Sequence, residues 1–314
     1  MLRVIEPGAL STVQDPGRPA AAHLGVPVSG ACDAWSMAVA NRLLDNVPGA
    51  AVLEMTLLGA AFEVMASGVI AVAGADMDAV VGGEGRRLEP GASHRVEAGT
   101  RLRFRAAVRG VRAYLAIPGG IDVEPVLGSR STCLAGGFGC LAGRPLAPGD
   151  VLLPMRAPTQ ALAGNVWPAG GFDPTDPDAP VRVVAVPDAP SVHPDALEAL
   201  VERPWTVSPI GDRTGVRLEG ARIPISEAAA ALVSSGVLPG AIQLPASGEP
   251  IVLLADAPTI GGYPVPAVVA RADLPIVAQR QPGERVRFSM CTAAEARNAA
   301  SARRVLLAEG GTLP

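Results

Sequence analysis

Lysine is absent from this sequence, since all 26 of its basic residues are arginines. A Schiff-base mechanism, a lysine in a phosphate-binding loop and a biotinylated carrier lysine each require a primary amine. The chain itself therefore cannot supply any of these three functions. A general preference for arginine explains most of the bias, and the exclusions hold in either case.

Aromatic residues make up only 3% of the chain, although 49% of it is hydrophobic. The core must therefore consist mainly of alanine, valine, leucine and isoleucine. The 36 glycines and 31 prolines together exceed a fifth of the 314 residues. Such frequent turn residues are typical of many short strands joined by tight turns, and they argue against a helical bundle.

Long apolar runs, basic clusters and metal-ligand spacings are missing as well. No apolar run approaches the roughly 18 residues of a membrane-spanning helix, and residues 1–8 lack the apolar segment of a signal peptide. The net charge of -4 comes from charges spread along the chain, which argues against nucleic acid as a partner. The four cysteines have no CxxC spacing and the three histidines are scattered. We therefore expect a cytoplasmic protein with reduced cysteines and no metal.

Capping residues and apolar spacing predict four helices. Thr292 and Glu295 match the capping box, in which each side chain satisfies a backbone N–H of the other residue. Asp33 is a suitable N-cap, and Gly236 is suited to end a helix that Ser226 begins. The predicted helices are Ala34–Leu44, Pro194–Glu202, Ser226–Gly236 and a terminal helix from Thr292 to about Ala308.

Most of the remaining chain has the pattern of strands, so the fold is predicted to be mainly β. Seven short runs that carry β-branched and other apolar residues lie between clusters of turn residues. These runs are Val69–Ala73, Arg101–Ala107, Arg112–Ile117, Val181–Val186, Ile251–Ala255, Val265–Ala270 and Arg285–Ser289.

Residues 168–180 have the composition of a linker. They contain four prolines, two glycines and three aspartates, a mixture that disfavours regular structure. The predicted domains are therefore 1–170, which contains the first helix, and 181–314, which contains the terminal helix.

The two predicted domains also resemble each other. Residues 98–104 are similar to 282–288, and residues 70–76 are similar to 251–256. The members of each pair lie about 180 residues apart. We interpret this repeat as a duplicated β-barrel rather than a chance similarity between glycine turns. Grooves between packed domains are common ligand sites, so a site is expected where the barrels meet.

Three groups of motifs are too specific to be ordinary β-turns. The first group is TVQDPGR at 12–18, GVPVSGACD at 25–33 and ANRLL at 40–44. The second is LAIPGGID at 115–122 and VLGSRST at 126–132. The third is DRTGVRLEG at 212–220, GAIQLP at 240–245, GEPI at 248–251 and GGYP at 261–264. In this order they resemble the C subunit of bacterial 5-oxoprolinase, whose family includes the KipA antikinase-binding proteins and the second allophanate-hydrolase-like domain of urea carboxylase.

The resemblance implies two cyclophilin-like β-barrel domains with a few short helices. It also implies a partner, the B subunit or a KipI-like protein, and a third component, the A subunit. Together these proteins open 5-oxoproline to glutamate at the expense of ATP. The leading hypothesis is therefore a subunit of an ATP-dependent 5-oxoprolinase. We expect it to be inactive alone, because the sequence has no nucleophile–base pair and no phosphate loop.

Two other functions stay open, because family and fold do not determine the chemistry of a site. One is a component of a biotin-dependent carboxyltransferase, as in urea carboxylase. The lack of lysine excludes covalent biotin on this chain, so biotin would have to arrive on another one. The other is a non-catalytic, KipA-type binding protein that sequesters a kinase inhibitor.

The matching motifs supply the candidate site residues. An arginine fork can hold a carboxylate or phosphate while a neighbouring acid orients the reacting group. The catalytic candidates are Asp212, Arg213 and Asp256. The substrate-binding candidates are Arg217, Glu219, Gln243, Thr259, Gly261, Gly262 and Tyr263, with Arg18 and Arg130 in the first half. Arg213, Gln243, Asp256 and Tyr263 are expected to line one groove, between the barrels or against the partner.

Each motif also has a purely structural interpretation. The charged turn at 212–219 could be an ion-pair network that fixes a barrel turn, and the Gly-Gly-Tyr segment could be an ordinary hairpin turn. Arg18 could pair with Asp33 or Glu54. The sequence also departs from the family pattern, which has an acid where Ser235 stands and an amide where Pro258 stands. If either position binds substrate, this protein has altered specificity or weakened activity.

Overall fold

The computed structural model describes residues 1–83, 85–157, 162–168, 171–187, 192–227, 229 and 232–310. It is 17% helix and 32% strand, so the predicted mainly-β fold is confirmed. The chain divides into two compact units. The first comprises Met1–Arg18, Ser29–Thr175 and the C-terminal residues from Leu306, and the second comprises Pro19–Val28 and Asp176–Val305.

The division between the units at Thr175 and Asp176 lies inside the predicted linker, 168–180. Two short stretches belong to the unit on the other side of that linker, namely Pro19–Val28 and the residues from Leu306. The domain boundaries 1–170 and 181–314, and the origin of the two halves by duplication, stay predictions.

Four α-helices occur in the described ranges, and caps explain the ends of two. The Asp33 carboxylate accepts a hydrogen bond from the Ser36 N–H at 2.9 Å and thereby caps α1. The capping box forms at α4, where Glu295 accepts from the Thr292 N–H and Thr292 Oγ1 accepts from the Glu295 N–H. The helices are α1 Ala34–Arg42, α2 Ala196–Glu202, α3 Leu274–Gln279 and α4 Ala293–Ala308, with 3-10 turns at Pro19–Leu24 and Cys140–Gly143.

The structure differs from the helix predictions at two places. In the predicted helix 226–236, the alanines at 228, 230 and 231 lie outside the described residues. Its last two residues form a strand, so Gly236 does not end a helix. Helix α3, which has Pro275 in its first turn, was not among the predicted helices. Proline is tolerated in the first helical turn, where its missing N–H has no partner to lose.

The described residues of the first unit form two antiparallel sheets. One has the strand order β11-β1-β4-β9-β6-β7 and the other has the order β2-β3-β10-β5-β8. Their strands are β1 Leu2–Glu6, β2 Leu10–Gln14, β3 Val52–Thr56, β4 Ala61–Val64, β5 Gly68–Asp76, β6 Val80–Val81, β7 Arg86–Arg87, β8 Ala92–Val96, β9 Arg101–Arg103, β10 Arg109–Ala116 and β11 Val151–Leu152.

Alternating side chains on β3 and β10 separate two cores in this unit. Leu53 and Leu115 face the core that both sheets share. Val52 and Tyr114 face the other way and pack with α1, through Trp35 and its neighbours. Because successive side chains of a strand point to opposite faces, one sheet can serve both cores.

The second unit is built on one eight-stranded sheet with the order β20-β13-β14-β17-β16-β19-β12-β21. Only Arg287 separates the two edge strands along the chain. One continuous segment therefore pairs with β13 on one side and with β12 on the other, which nearly closes the sheet into a barrel. The strands are β12 Val181–Ala185, β13 Trp205–Gly211, β14 Gly215–Glu219, β15 Ser235–Gly236, β16 Ala241–Gln243, β17 Ile251–Leu253, β18 Ile260–Gly261, β19 Ala267–Val269, β20 Arg285–Val286 and β21 Phe288–Met290.

Strand β14 shows how this barrel divides apolar and polar side chains. Val216 and Leu218 are buried, whereas Arg217 and Glu219 between and after them are exposed. This period of two places both charged side chains on the face opposite the barrel core. A separate two-stranded ribbon, β15 paired with β18, completes the described sheets of the unit.

Candidate functional site

Two rows of mostly polar side chains cross the outer face of the second barrel. Residues directly opposite each other in an antiparallel pair share a face. One row is Arg285, Thr206 and Glu219, across β20, β13 and β14. The other is Arg217, Ile251 and Gln243, across β14, β17 and β16. The structure thus brings three predicted binding residues, Arg217, Glu219 and Gln243, onto one face.

Arg217 and Glu219 are exposed, and neither makes an ion pair or a side-chain hydrogen bond with the described residues. They lie two positions apart on β14, at the spacing that keeps them on one face. A guanidinium held on a regular strand without a carboxylate partner is available to an anionic ligand. This observation favours binding over the predicted ion-pair network for this part of the motif.

Gln243 is 6% exposed, and its side-chain amide makes no hydrogen bond with the described residues. Above it lies Gly261 of the ribbon, where an added Cβ would come within 2.4 Å of the Gln243 Nε2 atom. Only a residue without a side chain allows this close approach. Gly261 therefore fits the site as a contact surface for the amide.

The ribbon is held on the barrel by a small apolar cluster. Val237 packs with Ala241 and Leu253 of the outer face, next to Gln243. The remaining binding candidates follow on β18 and after it. Thr259 is partly buried, Gly262 is exposed and Tyr263 is 48% exposed. The structure therefore places Gln243 and Gly261 in contact and leaves Tyr263 at the surface.

Arg213 and Asp256, two of the catalytic candidates, form a buried ion pair. Arg213 Nε donates to Asp256 Oδ2 at 2.9 Å and Nη2 donates to Oδ1 at 3.1 Å, with the side chains 2% and 4% exposed. The third candidate, Asp212, is exposed and accepts from the Thr214 N–H at 2.7 Å. A buried, mutually neutralised pair fixes the turn before β14 to the end of β17, so it supports the polar rows. The catalytic role of these residues stays a prediction.

The candidates of the first unit lie in a buried network that includes Asp15, which was not among the predicted site residues. The Asp15 carboxylate accepts from the Ser129 and Ser131 hydroxyls and from the backbone N–H of Arg130. Arg130 Nε donates to the Val123 carbonyl at 2.9 Å. These bonds close the Gly-Ser-Arg-Ser loop onto the end of β2. The Asp-Pro-Gly turn signal was visible in the sequence, but its partner, more than a hundred residues away, was not.

Arg18 is buried in the same region. Its Nη2 donates to the Ser131 carbonyl at 2.5 Å, and its guanidinium lies 5.1 Å from the centre of the Phe138 ring. Hydrogen bonds to backbone carbonyls and stacking on an aromatic ring are a structural use of arginine. A substrate-binding role for Arg18 and Arg130 stays a prediction.

Glu54, the predicted alternative partner of Arg18, belongs to a second buried network. Its Oε2 accepts from the Tyr114 hydroxyl at 2.7 Å, and the Tyr114 oxygen accepts from the Asp33 N–H at 2.8 Å. Burial, together with the carboxylates of Glu54 and Asp33, holds the pKa of Tyr114 well above its ordinary value. Tyr114 thus stays protonated and joins α1 to the sheet beneath it.

The described residues include neither a cluster of metal ligands nor a membrane-spanning helix. No group of three or more His, Cys, Asp or Glu side chains among them could hold a metal ion. No helix within the described ranges has both the length and the apolar character needed to cross a membrane.

A surface cavity of about 380 Å³ lies in the first unit, and it contains none of the predicted site residues. It is lined by Val81, Gly82, Gly83, Arg86, Arg95, Val96, Glu97 and Thr100.

Comparison with known proteins assigns the family. Residues 24–290 match the model of the carboxyltransferase domain, subdomain A and B. The chain belongs to this carboxyltransferase domain family. It is 36% identical to the 5-oxoprolinase C subunit of Escherichia coli, over 94% of this chain and 93% of that protein. The predicted resemblance is confirmed.

Solved structures of this family agree with the fold. The structure of TTHA0988 is 38% identical with a TM-score of 0.81, and the match covers 92% of this chain and 55% of that one. The urea carboxylase of Kluyveromyces lactis is 29% identical with a TM-score of 0.90, covering 100% of this chain and 30% of that one. The same carboxyltransferase domain thus occurs as part of considerably longer chains.

Proposed function

We propose that this chain is a subunit of an ATP-dependent 5-oxoprolinase, acting with a B subunit or KipI-like partner and with a third component, the A subunit. The observation that carries the proposal is the match to the C subunit of the Escherichia coli 5-oxoprolinase, which extends over 93% of that protein. The match to urea carboxylase covers only 30% of the longer chain. The similarity to the oxoprolinase therefore concerns a whole subunit rather than one part of a larger enzyme.

The candidate face supports a binding role in this reaction. Arg217 offers a cation without a partner among the described residues, and Gln243 offers an amide without one. Neither group is a nucleophile. The role proposed for this face is therefore to hold a small amide substrate while the partner proteins supply the remaining catalytic groups.

ATP does not fit the residues of this face. The sequence has no lysine and no phosphate-loop motif. The described glycines at 261 and 262 lie against side chains of the same unit, Gln243 and Ser234. We therefore assign ATP binding to the partner proteins.

A protein partner is supported by apolar side chains around the ribbon. Val233, Leu238 and Ile260 are 82%, 56% and 64% exposed, and Tyr263 lies beside them along the chain. Gly261 faces Gln243, so the neighbouring residue of the strand, Ile260, points to the other side of the ribbon. Ile260 pairs with Gly236, and Leu238 lies two residues further along, so Leu238 is on the same side as Ile260. Exposed apolar side chains next to a substrate site are typical of a partner surface.

The proposal is tested by reconstitution. This chain and its two proposed partners, the A and B subunits, are purified separately and mixed, and glutamate release from 5-oxoproline is measured with and without ATP. We expect ATP-dependent release by the complete mixture and none by this chain alone. Release by the isolated chain, or no release by a stable complex of all three, would contradict the proposal.

A second candidate is the transfer of a carboxyl group from biotin. The whole chain superposes on part of the urea carboxylase with a TM-score of 0.90, and the family model is itself that of a carboxyltransferase domain. Because the chain has no lysine, biotin would have to be attached to another protein. Carboxyl transfer from a carboxylated biotin carrier protein to a small amide, dependent on this chain, would favour this candidate.

A further inference from the structure

We propose that Gln243 and Arg217 recognise two different groups of one small ligand. Gln243 binds a cis-amide, as found in a lactam or a cyclic urea, and Arg217 binds a carboxylate. Ile251 lies between them and supports the apolar part of the ligand. The inference rests on the proposed function, since 5-oxoproline carries both groups, and it assigns a separate role to each residue.

The side-chain amide of Gln243 has no structural hydrogen bond that would explain its presence in the described structure. Its side chain is more than nine-tenths buried, and it makes no hydrogen bond with the described residues. Its amide atoms are not among the described side-chain atoms that are both fully buried and without a partner, so the amide still reaches the surface, where a ligand can meet it. Contact with Gly261 also restricts where the Nε2 atom can go.

The chemistry of a primary amide selects its ligand. Gln243 has a donor and an acceptor side by side at the end of its side chain. A cis-amide also has its N–H and C=O on one side, so the two can form a closed pair of hydrogen bonds. The trans-amide of a peptide has these groups on opposite sides and can form only one of the bonds. Gln243 therefore favours a cyclic amide over a peptide.

Arg217 lies at a suitable distance to bind a second group of the same molecule. It is separated from Gln243 by one strand, β17, so the two backbones are about 10 Å apart. Both side chains rise from the same face, and the long arginine side chain can shorten the gap. A carboxylate on the ligand would form charge-assisted hydrogen bonds with the guanidinium, which are the stronger kind.

Ile251 completes the row. It is opposite both Arg217 and Gln243 in the register of its two neighbouring strands, and it is only partly buried. Its apolar side chain leaves no competing polar group between the arginine and the amide. The ring carbons of a small lactam can therefore cover Ile251 while its polar groups reach the two ends of the row.

The experiment measures the binding of four small probes to the full chain, both alone and in complex with its partner proteins. 5-Oxoproline has both groups, and 2-pyrrolidinone has the cis-amide without the carboxylate. 1-Methyl-5-oxoproline lacks the amide N–H, and glutamate lacks the ring. We expect 5-oxoproline to bind most tightly, 2-pyrrolidinone at least ten-fold more weakly, and the other two more weakly than 5-oxoproline by a similar factor.

Two variants separate the two roles. Gln243→Met, of similar size, should weaken 5-oxoproline and 2-pyrrolidinone alike, by roughly ten-fold or more. Arg217→Gln should weaken 5-oxoproline by a similar factor and leave 2-pyrrolidinone unchanged. The matched control is Arg285→Gln, an exposed arginine on the outer surface of the same barrel but four strands from Gln243 around the sheet. It should change neither.

Gly261→Ala gives an independent test of the amide. The new Cβ would lie 2.4 Å from the Gln243 Nε2 atom, which is the end of a flexible side chain and can move away without a shift of the backbone. We expect the urea midpoint to stay near the wild-type value while binding of both cis-amide probes weakens. Unchanged binding of these probes in this variant would argue that the Gln243 amide is not in contact with the ligand.

The results also distinguish this inference from the proposed function. Three results would overturn the recognition scheme. These are equal binding of 5-oxoproline and its N-methyl form, equal effects of Arg217→Gln and Arg285→Gln on binding, and no binding of any probe to the chain alone or in complex. Normal KM and turnover of 5-oxoproline by complexes with the Gln243 and Arg217 variants would do the same and leave the oxoprolinase proposal standing. The expected binding pattern without any turnover by the full complex would support the scheme and contradict the oxoprolinase proposal.

Discussion

Two polar regions of this chain differ in how their hydrogen bonds are satisfied. At the end of β2 the Asp15 carboxylate accepts four hydrogen bonds, two from serine hydroxyls and two from backbone N–H groups. On the outer face of the second barrel, Arg217 and Gln243 make none with the described residues. Both regions lie in motifs that resemble the family, so motif strength does not separate them.

The difference indicates which motif residues hold the fold and which are free for a ligand. A buried carboxylate with four donors is already largely satisfied, and its loss would leave those donors unsatisfied. A guanidinium or amide without a partner has its full capacity available. Arg213 and Arg217 illustrate this within one motif, since the first is buried against Asp256 and the second is exposed.

The largest effect is expected from removing the buried arginine. Arg213→Ala leaves the Asp256 charge without its partner at a position that is 5% exposed. We expect the free energy of unfolding to fall by about 3–5 kcal/mol, measured by urea denaturation. Replacing both residues with apolar ones of similar size, Arg213→Met with Asp256→Leu, should restore much of this loss. A change below about 1 kcal/mol for Arg213→Ala would place this pair among the ligand-binding groups.

The second test concerns Asp15. Asp15→Asn keeps the shape but replaces one accepting oxygen with a donor that faces other donors. We expect a loss of roughly 2–3 kcal/mol in urea denaturation. Asp122→Asn is the matched control, because Asp122 is exposed and its side chain makes no hydrogen bond with the described residues. Equal effects of the two substitutions would contradict the assignment of the Asp15 region to the fold.

The third test removes one hydroxyl. Tyr114→Phe deletes the hydrogen bond to Glu54 and the acceptor for the Asp33 N–H. Both partners are buried, so we expect a loss of about 1–2 kcal/mol in unfolding free energy. Tyr263→Phe, at a 48% exposed position, is the control and should have almost no effect. A neutral Tyr114→Phe would mean that the network does not stabilise the position of α1.

The mainly-β fold, three of the helices and the seven predicted strand runs could be predicted from the sequence because their causes are local. Capping residues and turn residues are visible in a short window. Strand β14 was not predicted, because the charges of its motif were interpreted as a turn although Val216, Arg217, Leu218 and Glu219 alternate. The split of Arg285–Ser289 into two strands that close the barrel was not visible, because it depends on pairing with β12 and β13.

The sequence predicts the candidate site as a set of residues but not as an arrangement. Register decides that Arg217, Ile251 and Gln243 form a row, and no local signal gives register between distant strands. Arg213 and Asp256 were grouped with this row because they share its motifs. Their burial against each other depends on the turn before β14 meeting the end of β17, which a sequence window does not contain.

A smaller effect is expected from the exposed row. Arg217→Gln should change the free energy of unfolding by no more than about 0.5 kcal/mol, because the side chain is exposed and has no partner in the described structure. The measurement is the same urea titration that is used for Arg213→Ala. A loss comparable with that of Arg213→Ala would show that Arg217 supports the fold, and the comparison between the two arginines would then fail.

The smallest effect concerns the pH dependence of the first unit. Burial lowers the pKa of His94, whose Nε2 lies 2.8 Å from the Glu89 carbonyl. The unfolded chain therefore binds a proton at His94 more readily than the folded chain does. The contribution of His94 to stability is present above pH 6.5 and is lost as the pH falls through the lower pKa of the folded state. We expect the urea midpoint to decrease between pH 7.5 and pH 5.5, and to decrease less in His94→Gln. His23→Gln, at an exposed position, is the control, and a pH dependence that His94→Gln leaves unchanged would show that other groups cause it.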